Sequence, residues 1–122
     1  MMNANFIILY VDNPFNSASF YTKLLGKSPT ESHPTFVSFQ LNSEATLGLW
    51  SKHTAAPATF LTGGGGEIGF TVINKETVDL MYGKWTFYGG RVAQKPTTMD
   101  FGYTFVILDP DGHRLRVFCG ND

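Results

Sequence analysis

The sequence predicts an α+β fold made of two β-α-β-β-β modules. Three observations predict it. The same element order occurs twice along 122 residues, a tight Asp109-Pro110-Asp111-Gly112 turn joins two strand-like runs near the end, and a run of four glycines separates the halves. A chain of this length makes one domain, or two small halves sharing a core. Duplicated modules of this kind imply curved mixed sheets around a shared cleft.

In the first module, residues 4–51, A-N-F-I-I-L-Y-V at 4–11 has strand composition and Asp12-Asn13-Pro14 ends it. Asn16 or Ser17 is the expected cap of the following helix, where Ala18, Tyr21, Leu24 and Leu25 recur at helical spacing and Gly26 stops it. After a short extended piece, 36–41 and 45–50 form a hairpin around Asn42-Ser43-Glu44.

In the second module, residues 66–119, 67–73 is a strand, Asn74 a cap, and Val78, Met81, Tyr82 and Trp85 mark a helix ended by Gly89-Gly90. A short strand at 91–95 is closed by Pro96, and 103–108 with 113–118 forms the final hairpin. The joining segment 52–65 and the glycines at 63–66 read as a flexible hinge, since glycine is permissive and entropically costly to fix. A phosphate-binding loop is disfavoured there, because no Lys-Ser or Lys-Thr follows. Such a hinge would let one half pair with the other half of a neighbouring chain.

Composition excludes several function classes. With 43% apolar and 16% charged residues the chain is globular and low in charge. A formal net charge of -1 without a basic block gives no footprint for nucleic acid. No apolar run approaches the roughly 20 residues that span a bilayer, and the start reads as a strand rather than a signal peptide. The single Cys119 excludes an intrachain disulfide or a cysteine metal cluster and fits a reducing, cytoplasmic location. Eleven Phe, five Tyr and two Trp suit either a ring-filled core or a pocket for a flat organic ligand.

Strand alternation sorts these rings. In the first hairpin Val37, Phe39 and Leu41 lie opposite Leu49, Leu47 and Ala45, an apolar face for packing helices. The other face sets Phe36, Ser38 and Gln40 against Trp50, Gly48 and Thr46, a mixture that suits a ligand surface. By the same alternation Phe6, Glu67, Thr104, Arg116 and Phe118 join that side, and Glu67 is expected to pair with Arg116. A solvated sheet face is the plain alternative.

At this point the chain resembles the vicinal oxygen chelate superfamily, which includes glyoxalase I, extradiol dioxygenases and bleomycin-resistance proteins. The motifs that carry the resemblance are V-D-N-P-F-N-S-A-S-F-Y-T-K-L-L-G at 11–26 and L-D-P-D-G-H-R-L-R-V-F at 108–118. The family's metalloenzymes take one ligand from each of four strands. The matching positions here are Phe6, Gly48, Glu67 and Arg116, of which only Glu67 offers a donor for a metal. The resemblance therefore implies no metal, no cofactor and no catalytic residue. A glyoxalase- or dioxygenase-like enzyme with an atypical metal site, or with Glu67 as a general base, is the alternative.

The similar metal-free members bind aromatic antibiotics such as phenazines as homodimers, often with exchanged modules. By that resemblance the expected function is sequestration of a planar aromatic small molecule. Trp50 is the leading contact; Phe6, Phe36 and Phe118 form an apolar wall. Arg116 meets a ligand oxygen or pairs with Glu67. His53 reaches a ligand edge or is solvated, and Phe60, Phe101 and Tyr103 cover the cleft or serve packing. The D-P-D-G turn and His113 are read as structural.

Overall fold

The computed structural model describes residues 2–121. They fall into two compact units that meet inside the glycine run, the first ending at Gly63 and the second starting at Gly64. The first holds β1 (Phe6–Val11), α1 (Pro14–Leu25), β2 (Glu31–His33), β3 (Phe36–Gln40) and β4 (Thr46–Ser51); the second holds β5 (Glu67–Thr71), α2 (Lys75–Phe87), β6 (Arg91–Met99), β7 (Gly102–Leu108) and β8 (Arg114–Cys119). Each unit is thus a β-α-β-β-β module with a four-stranded mixed sheet. The strand orders are β1-β4-β3-β2 and β5-β8-β7-β6. The first strand of each module runs parallel to the last, and the other pairs are antiparallel.

The cap of α1 corrects the sequence expectation. Asn13, not Asn16 or Ser17, is the N-cap, and its Oδ1 accepts from the Asn16 amide at 3.1 Å. Pro14 is the reason: its fixed φ and missing N–H suit the first helical position, so the residue that seemed only to end the strand also starts the helix. Gly26 ends α1 at φ 67°, where a side chain would be strained. In the second unit Asn74 caps α2 as expected, accepting from the Thr77 amide at 2.9 Å.

Several strand boundaries also differ: β1 starts at Phe6 rather than residue 4, and β3, β4, β7 and β8 move by one residue. β5 stops at Thr71, two residues short of the expected end. β6 continues past Pro96 to Met99, with register shifts between Val92 and Gln94 and between Gln94 and Thr97. Pro96 falls inside the second irregularity of an edge strand, where the missing N–H costs no ladder bond.

The hairpin register places Val37 opposite Leu49 and Phe39 opposite Leu47, and all four are buried. The ring of Tyr21 from α1 lies 6.3 Å from that of Phe39. In the second unit Trp85 of α2 meets Phe70 and Phe105 edge-on, at 5.2 and 5.7 Å between centroids. Burying such rings supplies most of the drive to fold in modules this small. The D-P-D-G turn is structural, as expected. Asp109 Oδ1 accepts from the Asp111 and His113 amides at 2.9 Å each, and Gly112 adopts φ 85°.

Candidate ligand-binding faces

Each sheet has one face under its helix and one open face. The open face of the first unit is aromatic. Phe36 stands opposite Trp50 in the register, Ser38 opposite Gly48, and Gln40 opposite Thr46. On the other side of β4, Ile8 pairs with Gly48 and Tyr10 with Trp50. The Tyr10 and Trp50 rings are 6.1 Å apart, tilted by 44°. Trp50 and Phe36 are half-buried, while Phe6 is 57% exposed. Gly48 explains the shape: a Cβ there would sit 2.8 Å from Phe36 Cζ, so the missing side chain lets the Phe36 ring lie over the strand. Rings held side by side on a strand floor can stack on a planar ligand with little entropy lost.

His53 and Phe60 lie beyond that cluster. His53 Nε2 is 2.7 Å from Asp12 Oδ1, and the His53 amide donates to Ser51 Oγ at 3.2 Å. The hydrogen bond from His53 holds the Asp12 carboxyl below its usual range. Phe60 is 92% exposed, so it packs on little.

The open face of the second unit is built on charge. Glu67 is gripped by Arg116, whose Nε donates to Oε1 at 3.0 Å and whose Nη2 donates to Oε2 at 3.1 Å. Arg116 Nη1 donates to Gln94 Oε1 and to Thr104 Oγ1, both at 3.1 Å. The Thr104 hydroxyl donates in turn to the Val117 carbonyl at 2.9 Å. The pairing expected between Glu67 and Arg116 is present in bidentate form. Four of the five guanidinium N–H groups are spent within the protein. This leaves Arg116 little capacity for a ligand oxygen and favours a structural role for its hydrogen bonds.

The Arg116 side chain is mostly buried. The Phe101 ring covers it at 5.7 Å and meets Phe118 edge-on at 5.9 Å. The Phe118 ring in turn lies against Gly69, 3.4 Å from where a Cβ would be. Glu67, Arg116, Phe101 and Phe118 therefore form one cluster.

Tyr103 belongs elsewhere. Its hydroxyl donates to Asp79 of α2 at 2.8 Å and Lys75 lies over its ring at 5.7 Å, which puts it on the helix side of the sheet. The acceptor Asp79 is also what raises the Tyr103 pKa. Of the two roles expected for Tyr103, covering the cleft or packing, this placement favours packing.

Sequence reasoning missed Gln94 and undervalued Arg114. Arg114 shares the face with Arg116 by alternation, and its Nε is 3.1 Å from Glu67 Oε2 without hydrogen-bond alignment.

The two arginines bear on the alternative of Glu67 as a general base. Hydrogen bonds from Arg116, more than the charge of Arg114, hold the Glu67 carboxyl below the usual carboxylate range. A base working near neutrality needs the opposite shift, so this arrangement opposes that role. The family's metal does not fit either. Of the four matched positions, Phe6 and Gly48 carry no donor, Arg116 is cationic, and both Glu67 oxygens are engaged by Arg116. Among the described residues no group of three or more His, Cys, Asp or Glu could hold a metal ion. No helix among them is long and apolar enough to cross a membrane.

Comparison with known proteins agrees with this architecture. A family model described as Glyoxalase/Bleomycin resistance protein/Dioxygenase superfamily matches residues 3–117. The phenazine antibiotic resistance protein EhpR of Enterobacter agglomerans is 34% identical over 116 residues, spanning 93% of this chain and 88% of that protein. A protein of Agrobacterium tumefaciens, solved by solution NMR, is 49% identical with a TM-score of 0.91, and 100% of each chain is covered. A glyoxalase-related enzyme from Fulvimarina pelagi shares the fold, with a TM-score of 0.87 at 19% identity over 98% of this chain and 89% of that one.

Proposed function

Since the chain belongs to the glyoxalase/bleomycin resistance protein/dioxygenase superfamily, we propose that it uses this scaffold to bind and sequester a planar aromatic small molecule, an antibiotic such as a phenazine, without altering it. The observation that carries this reading is the open face of the first sheet. There the Phe36 ring lies over Gly48 beside Ile8, and Trp50, opposite Phe36 in the register, stands next to Tyr10. Trp50 provides the stacking surface and an indole N–H donor, and Phe6 and Phe36 extend the apolar wall. On the second sheet Phe101 and Phe118 offer rings beside an Arg116 held by Glu67. His53 and Phe60 contribute at the ligand's edge. The likeness to EhpR supports the ligand class.

The protein acts as a homodimer in this proposal, with the glycine run giving the chain freedom to exchange modules. It works in the cytoplasm, where the lone Cys119 stays reduced. Calorimetric titration with phenazine, followed by mass spectrometry of the recovered ligand, tests the binding reading. The expected result is saturation at one ligand per binding site and an unchanged mass; a changed mass would make the protein an enzyme. Sedimentation velocity across micromolar concentrations tests the dimer, and a monomer throughout would remove it.

A further inference from the structure

The outer face of α2 carries apolar surface that its own module does not use. Leu80 is 57% exposed and Phe87 is 85% exposed. Ile73, just before the Asn74 cap, is 89% exposed, so it does not close over the buried Val78 as an apolar residue at that place commonly does. The sister helix is the control. Counted from their Asn caps, Leu80 of α2 matches Ser19 of α1, and Phe87 matches Gly26. The fold therefore requires no apolar residue at either place, and apolar surface left exposed in this way marks a contact.

Gly83 lies on the same stripe. A Cβ there would meet nothing within 4 Å and its φ is not positive, so nothing inside the module calls for glycine. Glycine weakens a helix interior, and its use on an exposed face suits a close approach from outside. Leu80, Gly83, Lys84 and Phe87 line one groove. Glu76 stands one turn before Leu80 and Lys84 one turn after it, both exposed. Neither has an opposite charge three or four places along α2. They lie about 12 Å apart along the axis, too far to pair within one helix.

We propose that this face is an interface with a second copy of the chain, in which two α2 helices pack antiparallel about a two-fold axis at Leu80. Reversal about Leu80 sets Glu76 against the partner's Lys84, Lys84 against the partner's Glu76, and Phe87 near the partner's Ile73. The two Leu80 side chains meet beside the notches left by Gly83. Acid at one end, base at the other and apolar surface between them make the stripe complementary to itself. A two-fold contact requires that property, and an unrelated partner does not. One helix of 13 residues per copy is a small contact, so the association is weak and adds to whatever module exchange contributes.

Sedimentation equilibrium at low salt, over a concentration series reaching millimolar, tests this with a charge swap. Glu76→Lys turns both ion pairs into like-charge pairs, so the association constant should fall about tenfold, and Lys84→Glu should do the same. The double variant Glu76→Lys/Lys84→Glu restores both pairs with their signs exchanged and should return to within about threefold of wild type. Combining Glu76→Lys with Lys23→Glu on α1 restores the net charge but not the pairs, and should not recover association. Leu80→Gln, at an exposed site, should weaken association while leaving the urea midpoint unchanged. The mass that persists in Glu76→Lys reports module exchange alone, so the two associations are read separately. A wild-type mass that does not rise with concentration overturns the α2 interface. So do single reversals without effect, or a charge-swapped double variant no better than either single one.

Discussion

The two modules share a register but fill it with opposite chemistry. Phe6 pairs with Thr46 where Glu67 pairs with Arg114, and Ile8 pairs with Gly48 where Gly69 pairs with Arg116. Position for position, Phe6 corresponds to Glu67, Gly48 to Arg116, and Trp50 to Phe118. The first module therefore uses the absence of a side chain at the centre of its open face, so that a ring can lie down. The second fills the same place with an arginine held by four hydrogen bonds. A backbone repeat constrains where side chains point but not what they do, so one scaffold can carry an apolar stacking floor and a charged clamp.

The largest effect that would break this comparison comes from the clamp. Replacing Glu67 by Gln leaves Arg116, whose side chain is only 16% exposed, without its counter-ion. We expect a loss of about 2 kcal/mol in urea denaturation, as for a charged hydrogen-bonded pair losing one partner. A change under about 0.5 kcal/mol would reduce the clamp to an ordinary surface pair.

Acid should reveal the same residue. The folded state holds the Glu67 carboxyl below its ordinary value of 4.5, chiefly through Arg116. Its stabilisation is therefore complete above that value and is lost as pH falls through the lower, folded one. Glu67→Gln should flatten that part of the acid limb in a pH series of denaturation midpoints. In the first module Asp12 is shifted the same way by His53. That pair is exposed, so its share should fade with salt.

The glycines give the smaller contrasts. Gly48→Ala drives a Cβ to 2.8 Å from the Phe36 ring, which must swing away. We expect a loss of about 1 kcal/mol, together with weaker phenazine binding, because the floor is disrupted. Gly69→Ala meets Phe118 at 3.4 Å, an ordinary contact, and should stay within about 0.5 kcal/mol. If the two substitutions cost the same, the flat floor around Gly48 has no special standing.

Much of this was legible because strand alternation is rigid. The hairpin pairs Phe36 with Trp50 and Ser38 with Gly48 as alternation predicts, and the Glu67–Arg116 pair follows from it. The Asn13 cap was hidden because Pro14 signals both the end of a strand and the start of a helix. Gln94 was hidden by the irregularities around it in β6, since a register shift destroys the period-two count that assigns faces. For Tyr103 the sequence leaves both covering and packing open, although the alternation that puts Thr104 on the open face sends Tyr103 to the helix side. The hydrogen bonds from Arg116 to Thr104 and Gln94 were not read, because they join residues 12 and 22 positions apart.

Tryptophan fluorescence tests the central claim most directly. Of the two tryptophans, Trp85 is sealed against Phe70 and Phe105 at 2% exposure, whereas Trp50 is half-buried on the open face. Titration with phenazine should quench the wild-type emission to a saturable plateau, and Trp50→Ala should abolish both the plateau and most of the affinity. Emission that changes only in proportion to added phenazine, identically in wild-type and Trp50→Ala protein, would contradict the account.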